Sequence, residues 1–259
     1  MADPAATDRE PRLPDAAPAD VAAPERAPLA IVWLGLGAAA LAGCLVIFGA
    51  LAQDVHDQEA ILLDGVAGPF LHGLASPPLD AVMRAATFLG SAPTIPVSLV
   101  IAVIALFATH HRPAAVFLLL AIGGSFAINE MLKVVFHRPR PQLAWATVQT
   151  EYSFPSGHSQ NGLVFYLALA LIAWVVFGRR AGIAAVIVAA GLALLIGTSR
   201  IYFGYHYLSD VLAGYAAGLA WLAIVGIAFD AGPLLAEWRR RRETQDAART
   251  AGDGRSPPG

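Results

Sequence analysis

Charge is scarce in this chain. Asp, Glu, Lys and Arg make up only 14% of its 259 residues, where a soluble domain carries about 25%. That shortage excludes an ordinary water-soluble fold. The formal net charge of −2 gives no overall pull towards nucleic acid, so no nucleic-acid partner is expected. Cysteine is nearly absent. Cys44 stands alone inside an apolar run, so no intramolecular disulfide forms and the thiol is expected to be buried and simply pack. No Cys/His cluster has the spacing of a zinc site. Residues 1–27 lack an apolar core and so do not read as a signal peptide. Rich in Pro, Ala, Asp and Arg, they read as a disordered cytoplasmic tail.

Apolar residues are what the chain has in excess: 57% of the total, with a mean hydropathy of +0.60. About 20 apolar residues cross the ~30 Å of a bilayer's hydrocarbon. Six runs qualify, roughly Pro28–Leu51, Thr94–Thr109, Pro113–Val135, Gly157–Phe177, Ala181–Arg200 and Tyr207–Phe229. The second is short and needs residues before Pro93 to reach across. Between the first two runs, DQEAILLDGVAGPFLHGL and PLDAVMRAATFLG mix apolar with charged residues, as interfacial or partly inserted helices do. They read mainly as packing connectors. The expected fold class is therefore all-α, a polytopic membrane bundle of six transmembrane helices with interfacial helices between the first two. Residues 28–230 form the membrane domain. Residues 231–259 form a basic juxtamembrane segment and a second disordered cytoplasmic tail.

Orientation follows from Lys and Arg in short loops. Arg112, Arg179-Arg180 and Arg239 to Arg242 fall at one set of helix ends. Asp54, Asp57, Glu59 and Asp64 fall at the other. Both termini are thereby expected in the cytoplasm. Trp33, Trp174 and Trp238 then lie near the inner interface, and Trp221 is expected to pack inside its span.

With that topology three polar clusters share the outer face, which apolar segments rarely do without a functional reason. In the first, KVVFHRPRP, Lys133 projects from the last turn of a helix that breaks at Pro139 and Pro141, with Arg140 just beyond. Two cations on a rigid turn suit an anion with several oxygens, or a lipid headgroup. Asn129 and Glu130 either orient Lys133 or hydrate the helix end. In the second, SFPSGHS, a helix starts after Pro155-Ser156. Its free N–H groups and dipole make an anion site, which Gly157 lets a ligand approach. Ser156 caps the helix or donates to an oxyanion, and His158 stands at the rim. In the third, SRIYFGYHYLSD, Arg200 offers a planar fork for an anionic oxygen. If Tyr207 onward is helical, His206 and Asp210 lie four apart on one face, within reach of a carboxylate–imidazole bond that leaves the other ring nitrogen free. Together these groups suit a phosphoryl transition state. No carboxylate cluster suited to Mg²⁺ accompanies them, so neither a metal nor another cofactor is expected.

At these residues the sequence resembles the type 2 phosphatidic acid phosphatase superfamily, membrane relatives of the vanadium haloperoxidases. The family signature is K-x6-RP, then PSGH, then SR-x5-H-x3-D. It is matched here in order and spacing by Lys133 to Arg140-Pro141, Pro155 to His158, and Ser199-Arg200 to His206 to Asp210. The likeness runs from about Pro113 to Phe229, and PLDAVMRAATFLGS before it also fits. The resemblance implies that His206 is a nucleophile forming a phosphohistidine and that Asp210 orients it. It implies that His158 protonates the leaving group and then activates water. Lys133, Arg140, Ser156, Gly157 and Arg200 would bind the phosphate. Arg138 is an extra cation that the motif spacing does not select. His137 has no role by this reading, and His56, His72, His110 and His111 are bland surface or interface residues.

The expected activity is therefore metal-independent hydrolysis of a lipid phosphate or diphosphate in a bacterial inner membrane, with the site facing the periplasm or exterior. Undecaprenyl diphosphate, phosphatidic acid and phosphatidylglycerol phosphate all fit as substrates. Beyond substrate and bilayer, no obligate protein partner is expected. The rivals are a phosphotransferase with the same site and a lipid-binding or transport protein that needs the cations alone.

Overall fold

A computed structural model describes residues 26–58, 61–147 and 149–229, with side chains described from Gly35 onward. Among these residues all regular structure is helical. The elements are α1 (Arg26–His56), α2 (Leu62–His72), α3 (Pro77–Leu89), α4 (Thr94–Ala108), α5 (Arg112–Phe136), α6 (Gly157–Phe177) and α7 (Arg179–Tyr202), followed by α8 (Leu208–Phe229). The tail expected over 1–27 lies outside the described residues except for its last two, which already belong to α1. The segment 231–259, with Trp238 and its arginines, also lies outside them.

Among the described residues five helices are long and apolar enough to cross a membrane, ending with α8, and α3 with α4 makes a sixth if the bent pair is one span. In that case PLDAVMRAATFLG is the first half of a broken span rather than a connector. The pair is bent by 55° across Gly90 to Pro93, where a glycine and a proline interrupt the helical ladder. α3 starts at Pro77-Pro78 after the extended Ser76, and proline is tolerated there because the first N–H groups of a helix have no partner anyway.

The outer surfaces of the long helices carry exposed Val46, Val100, Val175 and Ile187, as lipid-facing surfaces do. The buried core lies between α5, α6, α7 and α8, around Leu118, Ile122, Val164, Ala168 and Leu222. α6 packs against α7 and α5, while α2 and α3 pack on α7. α8 approaches α6 through Gly214 and Gly218. A Cβ on Gly214 would stand 2.8 Å from the Ser156 carbonyl oxygen, and one on Gly218 would stand 3.2 Å from that of Gln160. Small residues four apart let two backbones touch, the usual means of helix association in lipid.

Trp221 packs as expected, donating its indole N–H to the Ala121 carbonyl at 2.9 Å. Trp174 packs beside Gly182. Cys44 is half-buried on α1 rather than buried.

Candidate active site

The three polar clusters meet at one end of the bundle. α5 ends at Phe136, short of the prolines, because His137 takes a left-handed conformation and returns its N–H to the Lys133 carbonyl. Lys133 thus sits in the last turn. It contacts Glu130 at 3.1 Å and Glu151 at 3.7 Å. The chain then runs to Arg140, whose side chain is 8% exposed. Its Nε donates to the Glu151 carbonyl at 2.8 Å and its Nη1 to the Tyr205 carbonyl at 2.9 Å. Burial lowers the Arg140 pKa from the ordinary arginine value, against the opposing pull of Glu151 and Asp210.

α6 starts at Gly157. Ser156 is buried, yet its hydroxyl does not cap the helix; it accepts instead from the Ser159 hydroxyl at 2.9 Å. The N–H groups of Gly157, His158 and Ser159 have no backbone partner among the described residues. His158 is half-buried and feels the charges of Arg200, Arg140 and Lys133. A Cβ on Gly157 would lie 2.8 Å from Asn129 Oδ1, so any side chain there requires Asn129 to shift.

Asn129 does not orient Lys133, as one reading had it. Its Nδ2 donates to Gln160 Oε1 at 3.0 Å and to the Pro155 carbonyl at 3.3 Å. Gln160 in turn donates to the Ser125 carbonyl at 3.0 Å, and Ser125 donates to Asn161 at 2.6 Å. This buried ladder joins α5 to the start of α6, with Asn129 Oδ1 left without a partner among the described residues.

Arg200 lies on α7, 5% exposed, with Nε unpartnered and its guanidinium 4.3 Å above the Tyr205 ring. Its carbonyl accepts the His206 N–H at 3.3 Å. His206 is not on the same helix as Asp210, because α8 begins at Leu208. Asp210 instead reaches back to the helix start. Its Oδ2 accepts the Tyr207 N–H at 3.0 Å and faces His206 Nδ1 at 3.4 Å. The Asp210 carbonyl accepts the Ser156 N–H at 3.0 Å, which joins the second cluster to the third.

His206 Nε2 faces Arg140 Nη1 at 3.2 Å. A guanidinium only donates, so Nε2 carries the lone pair and Nδ1 the proton directed at Asp210. Burial lowers the His206 pKa to about 4, against the raising effect of Asp210. At neutral pH the ring is uncharged.

All eight sequence-predicted residues, Lys133, Arg140, Ser156, Gly157, His158, Arg200, His206 and Asp210, are thus gathered at this end. Others were missed. Arg138 lies between two carboxylates: its Nη1 donates to Asp210 Oδ1 at 2.6 Å and its Nη2 to Asp64 at 2.8 Å. Burial disfavours the Arg138 charge, but Asp210 and Asp64 outweigh it and raise its pKa. Glu151 lies against both Lys133 and Arg140. His72 is more than a surface residue, since it stacks on Trp145 at 4.5 Å and bonds the Tyr202 carbonyl. The one visible signal for Asp64 was a lone acid within the apolar LLDGVAGPF.

Fold and site together define a polytopic helical membrane protein with a cationic, histidine-bearing anion site. A family model described as PAP2 superfamily matches residues 114–231. Phosphatidylglycerophosphatase B of Bacillus subtilis (strain 168) is 30% identical over 176 residues, covering 67% of this chain and 87% of that protein. Undecaprenyl-diphosphatase BcrC of the same organism is 29% identical over 61% of this chain and 78% of its own length. The crystal structure of a transmembrane PAP2 type phosphatidylglycerolphosphate phosphatase from Bacillus subtilis superposes with a TM-score of 0.67 at 28% identity, covering 74% of this chain and 96% of that one. Aquifex aeolicus LpxE shares the fold, with a TM-score of 0.52 at 24% identity over 64% of this chain and 95% of its own. The chain belongs to the PAP2 superfamily and is a membrane phosphatase.

Proposed function

We propose that this phosphatase hydrolyses a lipid phosphate or diphosphate through a phosphohistidine on His206, without a metal ion. The observation that carries the reading is the two-sided setting of the His206 ring, with Asp210 at Nδ1 and Arg140 at Nε2. Nε2 attacks phosphorus as the bond to the leaving oxygen breaks, and His158 gives that oxygen its proton. Water then loses a proton to His158 and attacks the same phosphorus. The N–P bond breaks, and inorganic phosphate leaves. Lys133, Arg140, Arg200, the Ser156 hydroxyl and the Gly157 N–H hold the equatorial oxygens. The unpartnered Nε of buried Arg200 supports this, since a buried guanidinium calls for an anion.

The substrate is an undecaprenyl diphosphate, phosphatidic acid or phosphatidylglycerol phosphate type of lipid. The activities named for the two Bacillus subtilis relatives support that class. The site faces the periplasm or exterior and both termini face the cytoplasm. Support comes from Arg112 and Arg179-Arg180, which begin α5 and α7, at the opposite end from the site.

Phosphate release by detergent-purified protein in excess EDTA tests this reading, with each of the three lipids offered to wild type and to His206→Ala. Release that survives EDTA and vanishes in the variant is expected, and the rank order names the lipid. Release by His206→Ala at the wild-type rate overturns the phosphohistidine. Loss of release on adding EDTA overturns metal independence.

A further inference from the structure

Asp64 was expected among the acids of an outer loop. It stands instead on α2 with its side chain only 6% exposed. Its Oδ1 accepts the backbone N–H of Ser209 at 2.8 Å, and its Oδ2 accepts the Ser209 hydroxyl at 2.5 Å and Arg138 Nη2 at 2.8 Å. Arg138 gives Nη1 to Asp210 at 2.6 Å and to Ser209 at 2.7 Å, while its planar face lies 4.1 Å from the Tyr207 ring. Both terminal nitrogens are thereby engaged on Asp210, Ser209 and Asp64.

We infer that Asp64 and Arg138 are positioning residues for His206, acting through Asp210. The inference rests on the phosphohistidine reading above. Asp210 divides its oxygens: Oδ2 serves His206 and the Tyr207 N–H, and Oδ1 is held by Arg138. Without Arg138 the carboxylate is free to swing off the ring. With Arg138 but without Asp64, the guanidinium cancels the Asp210 charge, and positive charge developing on His206 during attack is left unbalanced. With both present, two carboxylates face one guanidinium and a net negative charge remains behind the nucleophile. Arg140, Arg200 and His158 face His206 from the other elements and contribute no negative charge. Asp64 thus connects a helix outside the three motifs to the reacting nitrogen.

A purely structural role is the alternative. Asp64 also caps the first turn of α8 from outside, and losing a cap weakens any helix start. The two roles differ in whether the effect passes through Asp210. The test uses full-length protein in detergent, with phosphatidylglycerol phosphate as the probe. Asp64→Asn is expected to lower kcat about tenfold or more while KM stays within about twofold. In an Asp210→Asn background the same substitution is expected to change kcat by less than about twofold, because the carboxylate it acts through is gone. Arg138→Lys should repeat both results, and it carries the test alone if Asp64→Asn is not recovered from membranes. Wild-type kcat in Asp64→Asn, or an equal loss in both backgrounds, overturns the inference. Failure of the underlying phosphohistidine reading shows separately, as activity retained by His206→Ala.

Discussion

At the level of single residues, the proposed nucleophile His206 should govern how activity responds to acid. A histidine in water titrates near 6.5, so from sequence alone a bell-shaped profile over roughly pH 5–8 is the natural expectation. Burial moves the free-enzyme value to about 4. The sign follows directly. The ring is neutral above that pH, so on the proposed mechanism the acid limb of kcat/KM should lie near 4, well below the usual histidine range, while the basic limb belongs to the proton that His158 must carry. Asp210 raises this pKa through its hydrogen bond and its charge. Asp210→Asn should therefore shift the acid limb to still lower pH and reduce kcat by about 10²-fold or more, the scale of an oriented acid–base contribution. Phosphate release measured from pH 3.5 to 8 on both proteins checks this. An acid limb near 6.5 in wild type would contradict the burial argument.

At the scale of elements, the site depends on how closely α8 lies on α6. The contact is made by Gly214 and Gly218 against backbone oxygens of α6. It brings the Asp210 carbonyl to the Ser156 N–H. A methyl group at 214 must push the helices apart, because backbone cannot swing aside as a side chain does. Overpacking of this kind costs about 1–3 kcal/mol, and displacement of the same size at the reacting groups slows turnover roughly ten- to hundredfold. Gly214→Ala is expected to show that loss. Gly226→Ala, on the same helix, should not, because its added Cβ meets nothing within 4 Å. Activity per folded protein, with folding judged by gel filtration, is the measurement. Equal activity in the two variants would show that helix spacing does not set the geometry.

For the whole molecule, the bilayer explains why so polar a site is tolerated at one end of an apolar bundle. Its charges sit at helix termini and in the 137–156 and 203–207 connections rather than in mid-span. The orientation proposed here makes Thr147 external and Thr109 cytoplasmic, and both are exposed. With Cys44 replaced by Ala, single cysteines at these positions can be probed in intact cells. A membrane-impermeant maleimide should label Thr147→Cys readily and Thr109→Cys only after the membrane is permeabilised. The reverse pattern would invert the topology.

The class of fold is legible in the amino-acid sequence alone, because long apolar runs broken by Pro, Gly and paired arginines are read locally, one span at a time. The eight candidate site residues are legible in the same local way. Lys133 to Arg140, Ser156 to His158 and Arg200 to Asp210 each lie within a short segment whose spacing carries chemical meaning. Only the tertiary structure decided what those segments touch. That Arg138 lies against both Asp210 and Asp64 depends on α2 and α8 meeting at Asp64 and Ser209, 145 residues apart. That Asn129 braces α6 rather than Lys133 depends on which face α5 turns inward. Whether Pro77–Leu89 connects spans or joins α4 depends on its packing against α7. Hydropathy and spacing describe a chain along itself, whereas these outcomes are set by contacts between segments far apart in sequence.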